Sequence, residues 1–82
     1  MEELEKLQCV KDYNIAMDAV HKGDNESAEN WLKIAISTLM FEITMTVDEK
    51  RVEELGKLLR HARATLNEVK YINHQFSSGK TI

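Results

Sequence analysis

Over residues 46–76 the apolar side chains recur at alternating intervals of three and four: Val52, Leu55, Leu59, Ala62, Leu66, Val69 and Phe76, with Asn73 in register between the last two. That spacing puts one side chain per turn on a single line. It predicts one long helix with a narrow, coiled-coil-like seam that packs against other helices. Thr46 and Glu49 read as a capping box at its start, the hydroxyl accepting from the backbone three residues on while the carboxylate reaches back. A helix of about 29 residues would span roughly 43 Å at 1.5 Å per residue, longer than anything that precedes it.

Two helices are expected before it. The first covers about residues 2–21, with Leu4, Leu7, Val10, Tyr13, Met17 and Val20 on one face and Ala16 beside them. Lys22-Gly23-Asp24-Asn25 follows as the best turn signal in the chain. Gly23 suits a left-handed cap and Asp24 or Asn25 can cap what comes next. So short a connection predicts antiparallel neighbours.

The second helix, about 25–45, is more apolar than one interface needs. Ala28, Trp31, Leu32, Ala35, Ile36, Leu39 and Ile43 form a broad face, and Ile34, Phe41 and Met45 form a second stripe well away from it. Two apolar faces imply two sets of neighbours: a wide wrap within the chain, a second subunit, or a bound partner helix. The expected architecture is an all-α, antiparallel three-helix bundle over 1–76, with 77–82 as a mobile tail.

Composition agrees with that class. Of 82 residues, 43% are hydrophobic and 30% charged, with three glycines and no proline. This is too apolar for disorder and too poor in turn formers for a sandwich or barrel. At this length one core is barely self-sufficient, which favours oligomerisation. Cys9 is the only cysteine, so an intrachain disulfide scaffold is excluded. No apolar run resembles a signal peptide or approaches the ~18 residues of a membrane span, which makes the cytoplasm the expected compartment. Asn25-Glu26-Ser27 matches a glycosylation sequon formally but reads as a helix start.

The net charge of −3 argues against a general nucleic-acid binder. Its distribution is uneven: residues 1–27 hold seven acids against three lysines, and residues 48–76 hold six bases against five acids. Complementary pairing of the first and last helices, within one chain or between two, is the simplest account.

No candidate site has the composition of a catalytic or cofactor centre. Gly79-Lys80-Thr81 resembles the end of a phosphate-binding loop, but His74 stands where the first glycine belongs. His21, His61 and His74 lack the spacing of a zinc site, and no metal or cofactor is expected. Glu42 falls near the broad apolar face of the second helix, where a carboxylate needs a cation; Arg60 or Arg63 is the expected partner of a buried ion pair. Asn73 either fixes register in the seam or is exposed near the helix end. Lys57, Arg60, His61 and Lys70 suggest a basic strip, and Lys57, Arg60 and Lys70 are the candidate anion contacts of an alternative nucleic-acid or nucleotide reading. Glu53, Glu54 and Glu68 interrupt that strip in sequence, which favours a solvated face of mixed charge.

The run Ala16-Met17-Asp18-Ala19-Val20, the turn His21-Lys22-Gly23-Asp24-Asn25, and Ser27-Ala28-Glu29-Asn30-Trp31-Leu32-Lys33-Ile34-Ala35-Ile36 together resemble microtubule-interacting-and-trafficking domains. The last run is also similar to tetratricopeptide units. The resemblance covers Asp12 to Lys70 and implies a three-helix bundle that receives a short peptide or helix in a groove beside its third helix. The stricter seam of the third helix departs from that family, and these 82 residues hold no catalytic or membrane-remodelling domain for such a module to serve. The functional expectation is a non-enzymatic protein-protein interaction module, a small regulator or inhibitor such as a phage or plasmid encodes. It is expected to dimerise through Ile34, Phe41, Met45, Tyr71, Ile72, Asn73 and Phe76.

Overall fold

The structure, a computed structural model, describes residues 4–80, and for 76–80 the backbone alone. It contains a short 3-10 turn at Leu4–Lys6 and three α-helices: α1 (Gln8–His21), α2 (Asn25–Met45) and α3 (Glu49–Lys80). No strand occurs among the described residues. The bundle measures 53 × 19 × 14 Å, and its long dimension is close to the roughly 48 Å expected of the 32 residues of α3.

The first connection is built by Gly23. Its φ of 78° is open to glycine and strained for other residues. With that angle, the Gly23 N–H donates to the Val20 carbonyl and the Asp24 N–H to that of Ala19, a Schellman closure that satisfies two carbonyls at the end of α1. Asp24 then opens α2, its carboxylate accepting from the Ser27 N–H at 3.2 Å.

Three local details differ from expectation. Leu7 is extended (φ −72°, ψ 139°), so α1 starts at Gln8 rather than near residue 2. The break lets both Leu4 and Leu7 rest on the core. Asp48, not Thr46, caps α3: its Oδ1 accepts from the N–H of Lys50 at 3.0 Å and of Arg51 at 3.4 Å. Thr46 instead terminates α2 in an extended conformation, its N–H donating to the Glu42 carbonyl. A carboxylate beside the first turn also meets the positive end of the helix dipole, which a threonine hydroxyl does not exploit as well. Finally, the backbone of 77–80 continues α3 instead of leaving it as a tail; Thr81 and Ile82 lie outside the described residues.

The core forms along α2. Ala28, Leu32, Ala35 and Leu39 are wholly buried on it, facing Cys9, Val10, Ala16 and Ala19 of α1 and Leu55, Ala62 and Val69 of α3. Alanines on facing positions shorten the distance at which two helices can pack. The expected apolar row of α1 is for the most part only half-buried: Leu4, Leu7, Tyr13, Met17 and Val20 flank the core. Its deepest row is Cys9, Asp12, Ala16 and Ala19. α1 and α3 touch far less with each other than each does with α2. Their clearest contact is Tyr13 against His61, ring centroids 6.1 Å apart.

If small side chains set the α1–α2 separation, enlarging one of them must hurt. Ala35→Leu is expected to lower stability by about 1–3 kcal/mol through overpacking, and Asn30→Ala, on the exposed side of the same helix, by less than about 0.5 kcal/mol. Urea unfolding followed by circular dichroism checks both.

Candidate interaction surfaces

Two polar contacts hold α2 to its neighbours. On the α1 side Asp12 is only 4% exposed. Its carboxylate accepts from Gln8 Nε2 at 2.9 Å and from Thr38 Oγ1 of α2 at 3.2 Å. The Thr38 hydroxyl has one proton and also lies 3.1 Å from the Ile34 and Ala35 carbonyls, so the Asp12 bond competes with its own helix. Nothing in the sequence marked Asp12 as a core residue. The available signal was its place between Cys9 and Ala16 in a row of small side chains.

On the α3 side Asn73 is half-buried, which decides between its two expected roles. Its Nδ2 donates to the Asn25 carbonyl at 3.1 Å and to Glu29 Oε1 at 2.8 Å. Glu29 also pairs with Lys33 Nζ at 3.0 Å. The Asn73 amide, with Lys33 second, holds the Glu29 carboxyl below its ordinary value of 4.5. Asn73 therefore ties α3 to the start of α2 within one chain.

The expected Glu42 ion pair does not form. Glu42 is half-buried, and among the ion pairs of the described residues none joins it to Arg60 or Arg63. Arg63 reaches Met40 Sδ at 3.5 Å instead. Glu42 lies toward the start of α1. Burial first, and the Glu42 charge second, push the Cys9 thiol above its usual range. The physical reason is rotational: Glu42 sits on the side of α2 that faces α1, whereas Arg60 and Arg63 belong to α3, on the other flank of α2.

Of the apolar residues expected at an interface, Ile34 (44% exposed), Phe41 (66%) and Met45 (65%) stand in the open on α2, as do Tyr71 (65%) and Ile72 (38%) on α3. At about 100° per residue, Ile34, Phe41 and Met45 lie roughly 120–180° from Leu32 and Leu39, with Met45 nearest the α1 side. Phe76 lies outside the described side chains. A shallow depression of about 550 Å³ lies where α3 meets the start of α2, lined by Glu29, Asn67, Lys70, Tyr71, Asn73 and His74.

The basic residues divide. Lys57 leans toward Glu54, 3.9 Å away, while Arg60 and Lys70 stand on another side of α3 and belong to none of the ion pairs of the described residues. Among the described residues no group of three or more His, Cys, Asp or Glu side chains is placed to hold a metal ion, and no helix is long and apolar enough to cross a membrane. Comparison with family models, curated proteins and solved structures found no match to this chain.

A carboxyl whose pKa is lowered by folding stabilises the fold above its unfolded value, and that contribution disappears as pH falls through the lower folded value. Asn73→Ala should therefore return the Glu29 carboxyl toward 4.5 and flatten the loss of stability on acidification below about pH 4.5. Carboxyl-detected NMR titration and thermal melts from pH 6 to 3 check it.

Proposed function

We propose that this chain is a non-enzymatic interaction protein that works by presenting helical surface to other proteins, with self-association through the outer face of α2 as one part of that role. The observation carrying this reading is the row Ile34, Phe41 and Met45, three large apolar side chains in line on the side of α2 turned away from its buried Leu32 and Leu39. Single exposed apolar residues are ordinary, but a row of them on one helix face is the usual mark of a surface that is covered in use. Each such side chain contributes roughly 1.5–3 kcal/mol when buried, before the entropy of association is subtracted. Tyr71 and Ile72 extend the available surface on α3, whose helix continues seven residues past Asn73, the level at which α2 begins.

A dimer formed from these surfaces supports a role as a small regulator or inhibitor in the cytoplasm, of phage or plasmid kind, that captures a larger protein. The likeness of the first two helices to microtubule-interacting-and-trafficking domains points the same way, toward recognition of a helix or short peptide beside α3.

Phe41→Asp puts a charge in the middle of the apolar row and is expected to halve the assembly mass seen by light scattering at tens of micromolar. Helix content should stay unchanged, because Phe41 supports nothing in the core. A native protein that scatters as a monomer, with a mass indifferent to Phe41→Asp, overturns self-association.

A further inference from the structure

We infer that the groove between α2 and α3, on the side turned away from α1, is a docking site for an acidic amphipathic helix of another protein, which lies along α3 with its closest approach at Gly56. The inference rests on the interaction role proposed above but uses a different surface. By helical geometry Gly56, Arg60, Arg63, Asn67, Lys70 and His74 fall within an arc of about 80° on α3. No acidic residue between 56 and 74 shares that arc: Glu68 stands roughly 120° from its centre. The side contacts fix which way the arc faces. Arg63 touches Met40, and Asn67, Lys70 and His74 line the depression beside Glu29, so the arc borders α2. His61, which touches Tyr13, marks the α1 side and lies roughly 140° from the arc's centre.

The cations of this strip form no close ion pair within their own fold, although the Lys70 charge is felt by Glu29 across the depression. The expected complement, the acidic first helix, barely meets α3, and none of Arg60, Arg63 and Lys70 takes part in an ion pair of the described residues. Their successive rises of roughly 4.5 and 10.5 Å along the axis match carboxylates placed three and seven apart on a second helix.

Gly56 supplies an independent reason to expect a helix. It sits inside α3 with ordinary helical φ, and an added Cβ would meet only the Arg60 guanidinium, at 3.9 Å. The fold of the single chain does not use this glycine, which weakens its helix. A partner backbone approaching at that point does use it.

Two features disfavour a polyphosphate as the occupant. The chain carries −3 overall. Glu29 also closes one end of the groove, its carboxylate held ionised by Asn73 and Lys33. A continuous row of phosphates has to meet Glu29, whereas a helix can set an uncharged residue there. Met40 and Tyr71, both exposed at the rim, give such a helix apolar surface to pack on.

The test uses the full chain and fluorescence anisotropy with three probes: a Leu/Glu amphipathic helical peptide, a scrambled peptide of identical composition, and a duplex DNA of about 20 base pairs, the length class of a typical recognition site. The amphipathic peptide is expected to bind most tightly. Arg63→Glu with Lys70→Glu should weaken it by about tenfold or more, as two attractive pairs become repulsive. Gly56→Ala is expected to raise the melting temperature by about 4–8 °C while weakening the peptide, a combination that a merely structural glycine would not give. Equal binding of the scrambled peptide, tighter binding of DNA, or Gly56→Ala binding that matches the native protein overturns the inference. Light scattering of the charge-reversed variant distinguishes a second copy as occupant: an assembly that dissociates on reversal at 63 and 70 overturns a foreign helix. Failure of self-association is read separately, from Phe41→Asp, which should leave peptide binding unchanged.

Discussion

Ala28, Leu32, Ala35 and Leu39 of α2 are shut off from solvent, and both other helices are held through them. Because α1 and α3 meet so little, the bundle has one central element and two flanking ones rather than three equivalent partners. On one flank the alanines of α1 and α2 bring two backbones close. On the other, Leu55 and Val69 of α3 join Ala62 against α2. The polar ties follow the same division: Asp12 to Thr38 fixes the level of α1 against α2, and Asn73 to Asn25 and Glu29 fixes that of α3. At either tie a one-turn slip would leave a buried or half-buried polar group without its partner, a penalty of about 1–3 kcal/mol.

The dependence on α2 also explains why its outer face is bare. A closed triangular bundle leaves each helix a single outward stripe, and for a chain of 82 residues that stripe is ordinarily polar. Here the outward stripe carries Ile34, Phe41 and Met45, with Ser37 and Lys33 at its edges. The flanking helices cannot turn to cover it without giving up the buried alanines. An added chain is the remaining way to remove it from water.

Sequence periodicity was enough to find the three helices, because a row of apolar residues at three-four spacing is a local signal and each helix needs one. Gly23 was equally legible, since few residues other than glycine tolerate its backbone angle. What escaped was set by tertiary contact or by competition among equals. Thr46 and Asp48 both have side chains that cap helices, and which one does so depends on where α2 stops. The break at Leu7 interrupts an apolar row that reads as continuous. Asp12 has no local sign of burial, because the group that donates to its carboxylate, Thr38, lies far along the chain. Glu42 was placed on the right helix face but assigned to the wrong neighbour, because the sequence does not say which flank each helix occupies.

The sequence suggests a basic strip but with Lys57 and His61 in it and Arg63 left out, and rotation about α3 bears on the docking inferred for it. A tally along the chain mixes Arg60, Arg63 and Lys70 with Glu53, Glu54 and Glu68 and finds them nearly balanced, while rotation about α3 turns Glu54 and Glu68 to another side and leaves only Glu53, before Gly56, near the edge of the strip. At physiological ionic strength a charge is felt over about 8 Å. A partner in contact with the strip therefore responds to the two or three nearest cations, and much less to a net charge of −3 that sums over the whole surface. Before contact the order reverses: at longer range the excess of acids dominates and slows the approach of anything negative. Such a surface selects for partners that add apolar contact to their carboxylates, because charge alone offers them too little on the way in. The outer face of α2 follows the opposite rule, being nearly free of charge and insensitive to screening. Salt would therefore act on the two proposed contacts in different ways, weakening a helix docked along α3 while leaving self-association through Phe41 intact.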